Sequence, residues 1–135
     1  VERAVALVKD YGIKRGVLLP VSAPFHCPLM QPAADAMAEA LGANPPAAPL
    51  VPVVANVTAS PVSDADTIRD LLVQQVTGRV RWRESVASME DIGVQQFVEF
   101  GGKVLGPMVK RSASGEVETV SVISMDDIEA LLKGF

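Results

Sequence analysis

His26 is the one side chain of this sequence suited to take and return a proton near neutral pH, since no other histidine is present. It lies in SAPFHCPLM, between a predicted strand end and a predicted helix start, where catalytic groups of α/β folds are commonly found. Pro24 and Pro28 flank it and restrict the loop. The pattern makes His26 a candidate general base; a histidine without a task is the alternative.

Cys27 follows His26 directly and is the only cysteine. A cysteine–histidine nucleophile pair is one hypothesis. Side chains of adjacent residues usually project in different directions, so a small apolar filler at a helix start is the favoured interpretation. A single cysteine also excludes an internal disulfide and a zinc site built from paired cysteines.

Gln75 lies on the apolar stripe of a predicted helix, together with Ile68 and Leu72. A buried amide needs hydrogen-bond partners. Either this glutamine is partly exposed and caps a loop, or this helix end holds a polar group such as the imidazole of His26.

The turn Gly101-Gly102-Lys103 joins a predicted strand to a predicted helix. Glycines allow a close approach of the backbone, and a helix start favours an anion. The motif lacks the spacing of a P-loop or a dinucleotide fingerprint, so a tight structural turn is favoured. We expect Glu99 to bond the amides of this turn.

Arg79, Arg81 and Arg83 alternate around Trp82, and the net charge of the chain is −4. Nucleic-acid binding needs a concentrated basic footprint, so a solvated helix start or a patch for an acidic partner is favoured. No serine lies in a G-x-S-x-G motif, and the usual nucleophile elbow is therefore missing from the sequence.

The candidate site residues can act only if helices and strands hold them in place. The composition of the chain favours a folded domain or part of one. The chain has 135 residues, of which 49% are hydrophobic and 21% charged. Strands and helices alternate along it, which predicts an α/β architecture with mostly parallel pairing. The patterns predict helices over residues 1–11, 28–41, from Asp64 or Asp66 onward, 83–92, before Arg111 and over 125–133, with strands over 16–21, 51–55, 94–100 and 118–123.

Targeting signals are not evident in the sequence. No apolar run reaches the roughly 18 residues that span a bilayer. The opening VERAVALVKDYG carries charges inside a predicted helix and does not resemble a signal peptide. We expect a reducing, cytoplasmic setting without a membrane. From the abrupt helical start at Val1 we also expect that further chain precedes it.

Four sequence blocks carry a resemblance to a known family. APFHCPLM, VPVVANVTA, LLVQQVTGRVRW and FVEFGGKVLGPMVKR follow one another in the order and spacing of the C-terminal half of malonyl-CoA:acyl carrier protein transacylase, within the acyltransferase domain family. The resemblance implies an α/β-hydrolase-like large subdomain with a ferredoxin-like small subdomain inserted in it. By that resemblance residues 1–21 are the last helix and strand of the small subdomain, and residues 22–135 are the C-terminal part of the large one.

The resemblance also implies roles for three residues. The family's catalytic histidine matches His26, and the glutamine whose main-chain carbonyl orients that histidine matches Gln75. Phe25 matches the bulky residue of malonyl-selective members, whose ring would crowd an α-methyl group. The implied reaction moves malonyl from malonyl-CoA to the phosphopantetheine thiol of acyl carrier protein through a serine acyl-enzyme, as in fatty-acid synthesis.

That resemblance places two essential residues outside the chain. The nucleophilic serine and the arginine that pairs with the malonyl carboxylate lie upstream of Val1 in the family, so the missing N-terminal half is an expected partner and the chain alone is predicted to be inactive. No cofactor, metal or nucleic acid is implied. FGGKVL departs from the family, which usually has a proline in a slightly longer glycine turn.

Two alternatives remain open. The chain is a non-catalytic module that binds acidic carrier protein through Arg79, Arg81, Lys110 and Arg111, or it is a thiol hydrolase that uses Cys27 with His26.

Overall fold

The computed structural model describes residues 1–134 and contains six α-helices and four strands in that range. The helices are α1 (Glu2–Leu7), α2 (Gln31–Ala43), α3 (Ala65–Thr77), α4 (Trp82–Asp91), α5 (Leu105–Ser112) and α6 (Met125–Leu132). The strands are β1 (Val53–Ala55), β2 (Ser60–Val62), β3 (Gln96–Phe100) and β4 (Glu118–Val122). Short 3-10 turns extend α1 over Val8–Tyr11 and precede α2 over Pro28–Met30.

The strands form two separate pairs. β1 and β2 make an antiparallel hairpin, whereas β3 and β4 are parallel, with Gln96 opposite Glu118 and Phe100 opposite Val122. Helix α5 is the crossover between the parallel strands and packs on both of them. The predicted α/β class is confirmed, and the predicted parallel pairing applies to one of the two pairs.

The buried side chains are few and small. Val86 of α4 is completely buried, and its companions in the core are Ala34, Ala59, Ile68, Val109 and Val122. Helices α2 and α3 pack against each other, and Ala38 of α2 shares a groove with Val73 of α3. The turn before α2 also packs on α3, and this contact brings the segment around His26 to the end of that helix.

The helix that carries Gln75 begins where its sequence predicts. Asp64 precedes α3, and its carboxylate accepts a hydrogen bond from the Thr67 main-chain amide at 2.8 Å. This bond satisfies one of the free amides at the helix start. Of the two predicted starts, Asp64 and Asp66, the structure selects Asp64.

The predicted strand over residues 16–21 is wrong. This segment has an extended apolar sequence, but no strand pairs with it within residues 1–134, and Val17 and Leu19 are 57% and 72% exposed. A strand needs a neighbour to satisfy its backbone groups, and Pro20 removes one donor as well. The assignment of residues 1–21 to a small subdomain stays a prediction.

Helix α2 and strand β2 also differ from the predictions. Helix α2 continues beyond the predicted end at residue 41 to Ala43 and is followed by Asn44, whose amide bonds to the Ala40 carbonyl. The sequence predicts no strand at β2, because Pro61 in a three-residue strand gives no apolar alternation.

Candidate active site around His26

His26 stands on a tight turn with a left-handed backbone. Its φ is 58°, a conformation that few non-glycine residues adopt, although histidine is among the more tolerant types. The Phe25 amide donates to the Ala23 carbonyl at 2.9 Å, and the Cys27 thiol donates to the Pro24 carbonyl at 3.0 Å. These two bonds fix the turn on which the imidazole is presented.

The imidazole of His26 meets the main chain of α3. Its Nδ1 lies 2.9 Å from the Gln75 carbonyl oxygen, although 49 residues separate the two in sequence. A carbonyl oxygen has no proton to give, so Nδ1 must carry the hydrogen in this bond. In the neutral ring Nε2 then holds the lone pair, which is the form that a general base requires.

Gln75 occupies the last turn of α3, where the carbonyl groups have no partner within the helix. The Gln75 carbonyl has no helical partner and accepts a hydrogen bond from His26 Nδ1. The Gln75 side-chain Nε2 donates to the Gly78 carbonyl at 3.0 Å. Both sequence interpretations of this residue therefore describe the structure: its amide closes a loop, and its helix end holds the imidazole. The sequence pattern does not identify the Gly78 carbonyl as the partner of that amide.

A cavity lies beside Gln75, between β1, β2 and α3. It measures about 200 Å³ and is lined mainly by apolar side chains, including Val53, Leu71 and Leu72, with Asn56 and Gln75 as polar members. Asn56 is held by its neighbours, since its side-chain oxygen accepts from the Ser85 hydroxyl at 3.0 Å. Gln75 is the residue that this cavity shares with the imidazole contact, since it lines the cavity and bonds to His26 through its carbonyl.

Cys27 and Phe25 flank the histidine differently. The Cys27 thiol is directed to Pro24, and no hydrogen bond joins it to His26 within the described chain. The structure gives the Cys27–His26 pair no support. Phe25 directly precedes His26 in sequence, and its side chain is 56% exposed.

The glycine turn before α5 is closed by a carboxylate of the protein itself. Glu99 accepts from the amides of Val104 at 2.9 Å, Leu105 at 2.9 Å and Gly106 at 3.1 Å. These amide bonds, that of Val104 first, hold the pKa of Glu99 below its usual range. An anion from outside would have to displace this carboxylate, so the structural turn is the correct interpretation.

Two of the basic residues are already engaged within the protein. Arg79 and Arg81 lie 3.8 Å and 3.7 Å from the Glu84 carboxylate, and Arg81 also donates to the Thr58 carbonyl at 3.0 Å. Arg81 therefore fastens the β1–β2 hairpin to α4. Lys110 and Arg111 are exposed in the last turn of α5, and no ion pair involves them within residues 1–134.

Two general features of the described residues bear on function. No cluster of three or more histidine, cysteine, aspartate or glutamate side chains is arranged there to hold a metal ion. None of the helices in that range combines the length and the apolar character needed to cross a bilayer.

Solved structures with a similar fold define the class: this is the mixed α/β fold found in the C-terminal part of acyl-carrier-protein malonyltransferases. The enzyme from Bartonella henselae superimposes with a TM-score of 0.88 at 48% identity, over 98% of this chain and 42% of that one. A malonyl-transacylase solved in complex with its type II polyketide-synthase acyl-carrier protein gives a TM-score of 0.88 at 37% identity, over 99% and 43%.

Curated relatives give the particular protein that the chain resembles. It is 44% identical over 132 residues to the malonyl CoA-acyl carrier protein transacylase of Salmonella typhimurium, and 37% identical over 134 residues to that of Bacillus subtilis. The chain spans about two-fifths of these relatives, 41% and 42% of their lengths. No protein-family model matches it. The resemblance to malonyl-CoA:acyl carrier protein transacylase is confirmed.

Proposed function

We propose that this chain supplies the histidine part of a transacylase that moves malonyl from malonyl-CoA to the phosphopantetheine thiol of acyl carrier protein. The observation that carries the proposal is the 2.9 Å bond between His26 Nδ1 and the Gln75 carbonyl, in a chain similar to such enzymes over nearly its whole length. By the resemblance the nucleophilic serine of this reaction lies upstream of Val1, and no serine of the 135 residues stands in a G-x-S-x-G motif.

In the first half of the reaction His26 acts as base and then as acid. Nε2 takes the proton of the serine hydroxyl while the serine oxygen forms a bond to the malonyl carbonyl carbon. The tetrahedral intermediate collapses, the carbon–sulfur bond to coenzyme A breaks, and the leaving thiolate receives the proton from Nε2. Malonyl remains on the serine as an ester.

The second half repeats this exchange with a different thiol. Nε2 takes the proton of the phosphopantetheine thiol, the sulfur attacks the ester carbonyl, and the serine oxygen leaves with the proton from Nε2. The chemistry is balanced without any co-reactant. His26 returns to its neutral form after each half.

The Gln75 carbonyl does for His26 what a carboxylate does in the common serine triad. It accepts the Nδ1 hydrogen, which fixes the ring and its tautomer. It also lies at the C-terminal end of α3, where the partial negative charge of the helix favours an imidazolium. Support for the histidine thus comes from the main chain.

Substrate choice and partner docking are assigned to exposed side chains. Phe25 crowds an α-methyl group on the acyl chain and thereby favours malonyl. Lys110 and Arg111 attract the acidic carrier protein, with Arg79 as a further candidate. Arg81 is removed from that set because it bonds to Thr58 and pairs with Glu84.

The test is a chimera in which this chain replaces the corresponding C-terminal segment of the Escherichia coli K12 transacylase, to which it is 43% identical over 132 residues. We expect malonyl-carrier protein to form from malonyl-CoA, measured by intact mass of the carrier. His26→Ala should lower that rate by about 10²–10⁴-fold, the usual contribution of a general base. The chain alone should accept no malonyl group.

The controls separate the three hypotheses. A folded chimera that binds carrier protein but transfers nothing would support a non-catalytic module and refute the proposed activity. Transfer that survives His26→Ala but is abolished by alkylation of Cys27 would favour the thiol chemistry. Circular dichroism and carrier binding establish that each variant is folded.

A further inference from the structure

Gln75 has a second polar contact that the proposed reaction does not use. Its main-chain carbonyl accepts from His26 Nδ1, while its side-chain Nε2 donates to the Gly78 carbonyl at 3.0 Å. A residue that contributes only a main-chain carbonyl could have any side chain. We propose that the Gln75 side chain is a positioning group, which keeps its own carbonyl available to the histidine.

The end of α3 leaves the Gln75 carbonyl without its usual helical partner. In a continuing helix the Gln75 carbonyl would accept the amide four residues on, that of Arg79. Instead α3 stops at Thr77, Gly78 is extended with ψ 149°, and its amide bonds to the Gln74 carbonyl at 2.8 Å. The Gln75 carbonyl is left free for His26 because the chain turns away at this point.

The Gln75 amide holds the chain in that turned conformation. It spans from the last helical turn to the Gly78 carbonyl, which lies directly before Arg79. If the helix grew by one residue, the Arg79 amide would compete with His26 for the Gln75 carbonyl. The side chain therefore stabilises the arrangement in which the carbonyl has one donor, His26 Nδ1.

The neighbouring Gln74 provides a matched comparison. It has the same side chain on the same helix, it is exposed, and that side chain makes no hydrogen bond within residues 1–134. A replacement at Gln74 makes the same change in side-chain size and polarity as one at Gln75, but it leaves the bond to Gly78 intact. A difference in effect between the two sets of variants therefore measures the contribution of that bond.

The experiment reads the tautomer of His26, which is the only histidine and hence the only imidazole signal. ¹⁵N NMR of the 135-residue chain at about pH 9, well above the reference pKa of an imidazole, should show mainly the Nδ1–H form. Gln75→Met and Gln75→Glu should raise the Nε2–H population by about twofold or more, since the carbonyl then loses its fixed place. Gln74→Met and Gln74→Glu should leave it unchanged. Equal populations in the two sets of variants would overturn the proposal.

A measurement on the unmodified chain covers the case in which the Gln75 variants fail to fold. The side-chain amide protons of Gln75 should exchange with solvent more slowly than those of Gln74, because Nε2 of Gln75 donates to the Gly78 carbonyl at 3.0 Å. A Gln75 amide that exchanges as fast as that of Gln74 would also refute the proposal.

This inference rests on the proposed function for its catalytic meaning, but its test uses no substrate. If the chimera is inactive but the His26 tautomer depends on Gln75, the proposed function is refuted and the positioning role is supported. An active chimera with a Gln75-independent tautomer would do the reverse.

Discussion

The Cys27 thiol donates a hydrogen bond to the Pro24 carbonyl oxygen at 3.0 Å, across the turn on which His26 stands with φ 58°. A left-handed conformation at a non-glycine residue is costly and persists when its surroundings support it. The thiol is therefore part of what holds the histidine in place, rather than a nucleophile.

Replacing Cys27 tests this role. Cys27→Ser keeps a donor and should retain chimera activity within about threefold, whereas Cys27→Ala should destabilise the fold by about 0.5–1.5 kcal/mol, the usual net value of a hydrogen bond. Urea unfolding and malonyl transfer are the measurements. If Cys27→Ser is stably folded but inactive, the structural role is contradicted and a chemical role of the Cys27 thiol is favoured.

Glu99 predicts a dependence of stability on acid. Its carboxylate accepts from the amides of Val104, Leu105 and Gly106, and these bonds hold the pKa of Glu99 below its usual range. A group with a lowered folded-state pKa stabilises the fold above its unfolded-state pKa, and that stability is lost as the pH falls through the lower value. We expect the free energy of unfolding to fall below about pH 4, the range of unfolded carboxyl groups.

Glu99→Gln should reduce stability at pH 7 and flatten its decline in acid. Glu116→Gln is the control, because that exposed side chain makes no hydrogen bond within the described residues. Thermal unfolding at pH 7 and pH 3 gives both comparisons. Equal acid profiles for the two variants would show that the amides of α5 do not depend on Glu99.

The turn that Glu99 closes also sets a conformational requirement at Gly101. Its φ is 89°, and a Cβ there would meet nothing within 4 Å, so a substitution is strained by backbone conformation alone. Gly101→Ala should cost about 1–2 kcal/mol. Gly42→Ala, inside α2 and equally unobstructed, should instead stabilise by about 0.5–1 kcal/mol. Chemical denaturation of both variants checks the opposite signs.

Local signals made several of these features predictable from the sequence. Asp64 ahead of an apolar stripe is one of the two predicted starts of α3, and the structure selects it. Glu99 beside a glycine turn predicts a carboxylate bonded to nearby amides, which are those of residues 104–106 directly after the turn rather than those of the turn itself. In both cases the partners are within a few residues in sequence. The contact between His26 and Gln75, by contrast, joins residues that are 49 positions apart. The side-chain pattern offers this contact only as an alternative to a Gln75 that caps a loop.

The failures of sequence analysis have physical causes as well. Residues 16–21 have the composition of a strand, but strand formation depends on a neighbour that composition does not reveal. The bond from His26 Nδ1 to the Gln75 carbonyl depends on how two distant segments pack, because 49 residues separate the two in sequence. No periodicity in the sequence encodes such a contact.

Phe25 should control the choice of acyl group if the proposed function is correct. Phe25→Ser in the chimera should raise kcat/KM for methylmalonyl-CoA relative to malonyl-CoA by about 10–200-fold, the range for one methyl group discriminated by shape. The exposed Leu29, in the following turn, supplies the control variant Leu29→Ala. An unchanged ratio in Phe25→Ser would show that the ring does not face the acyl chain.

Lys110 and Arg111 should govern the encounter with carrier protein. Both are exposed at the end of α5, and reversal of either one to glutamate should raise KM for the acidic carrier by about tenfold, because complementary charge chiefly accelerates association. Malonyl loading of the serine from malonyl-CoA should change little, since that half-reaction involves no carrier. The effect should shrink as salt screens the charges. Reversal of exposed Lys133, in the residue after α6, is the matched control. If KM for the carrier at low salt is unchanged by reversal of Lys110 or Arg111, this docking surface is ruled out. If Lys133→Glu raises KM equally, the effect comes from net charge and not from a docking surface.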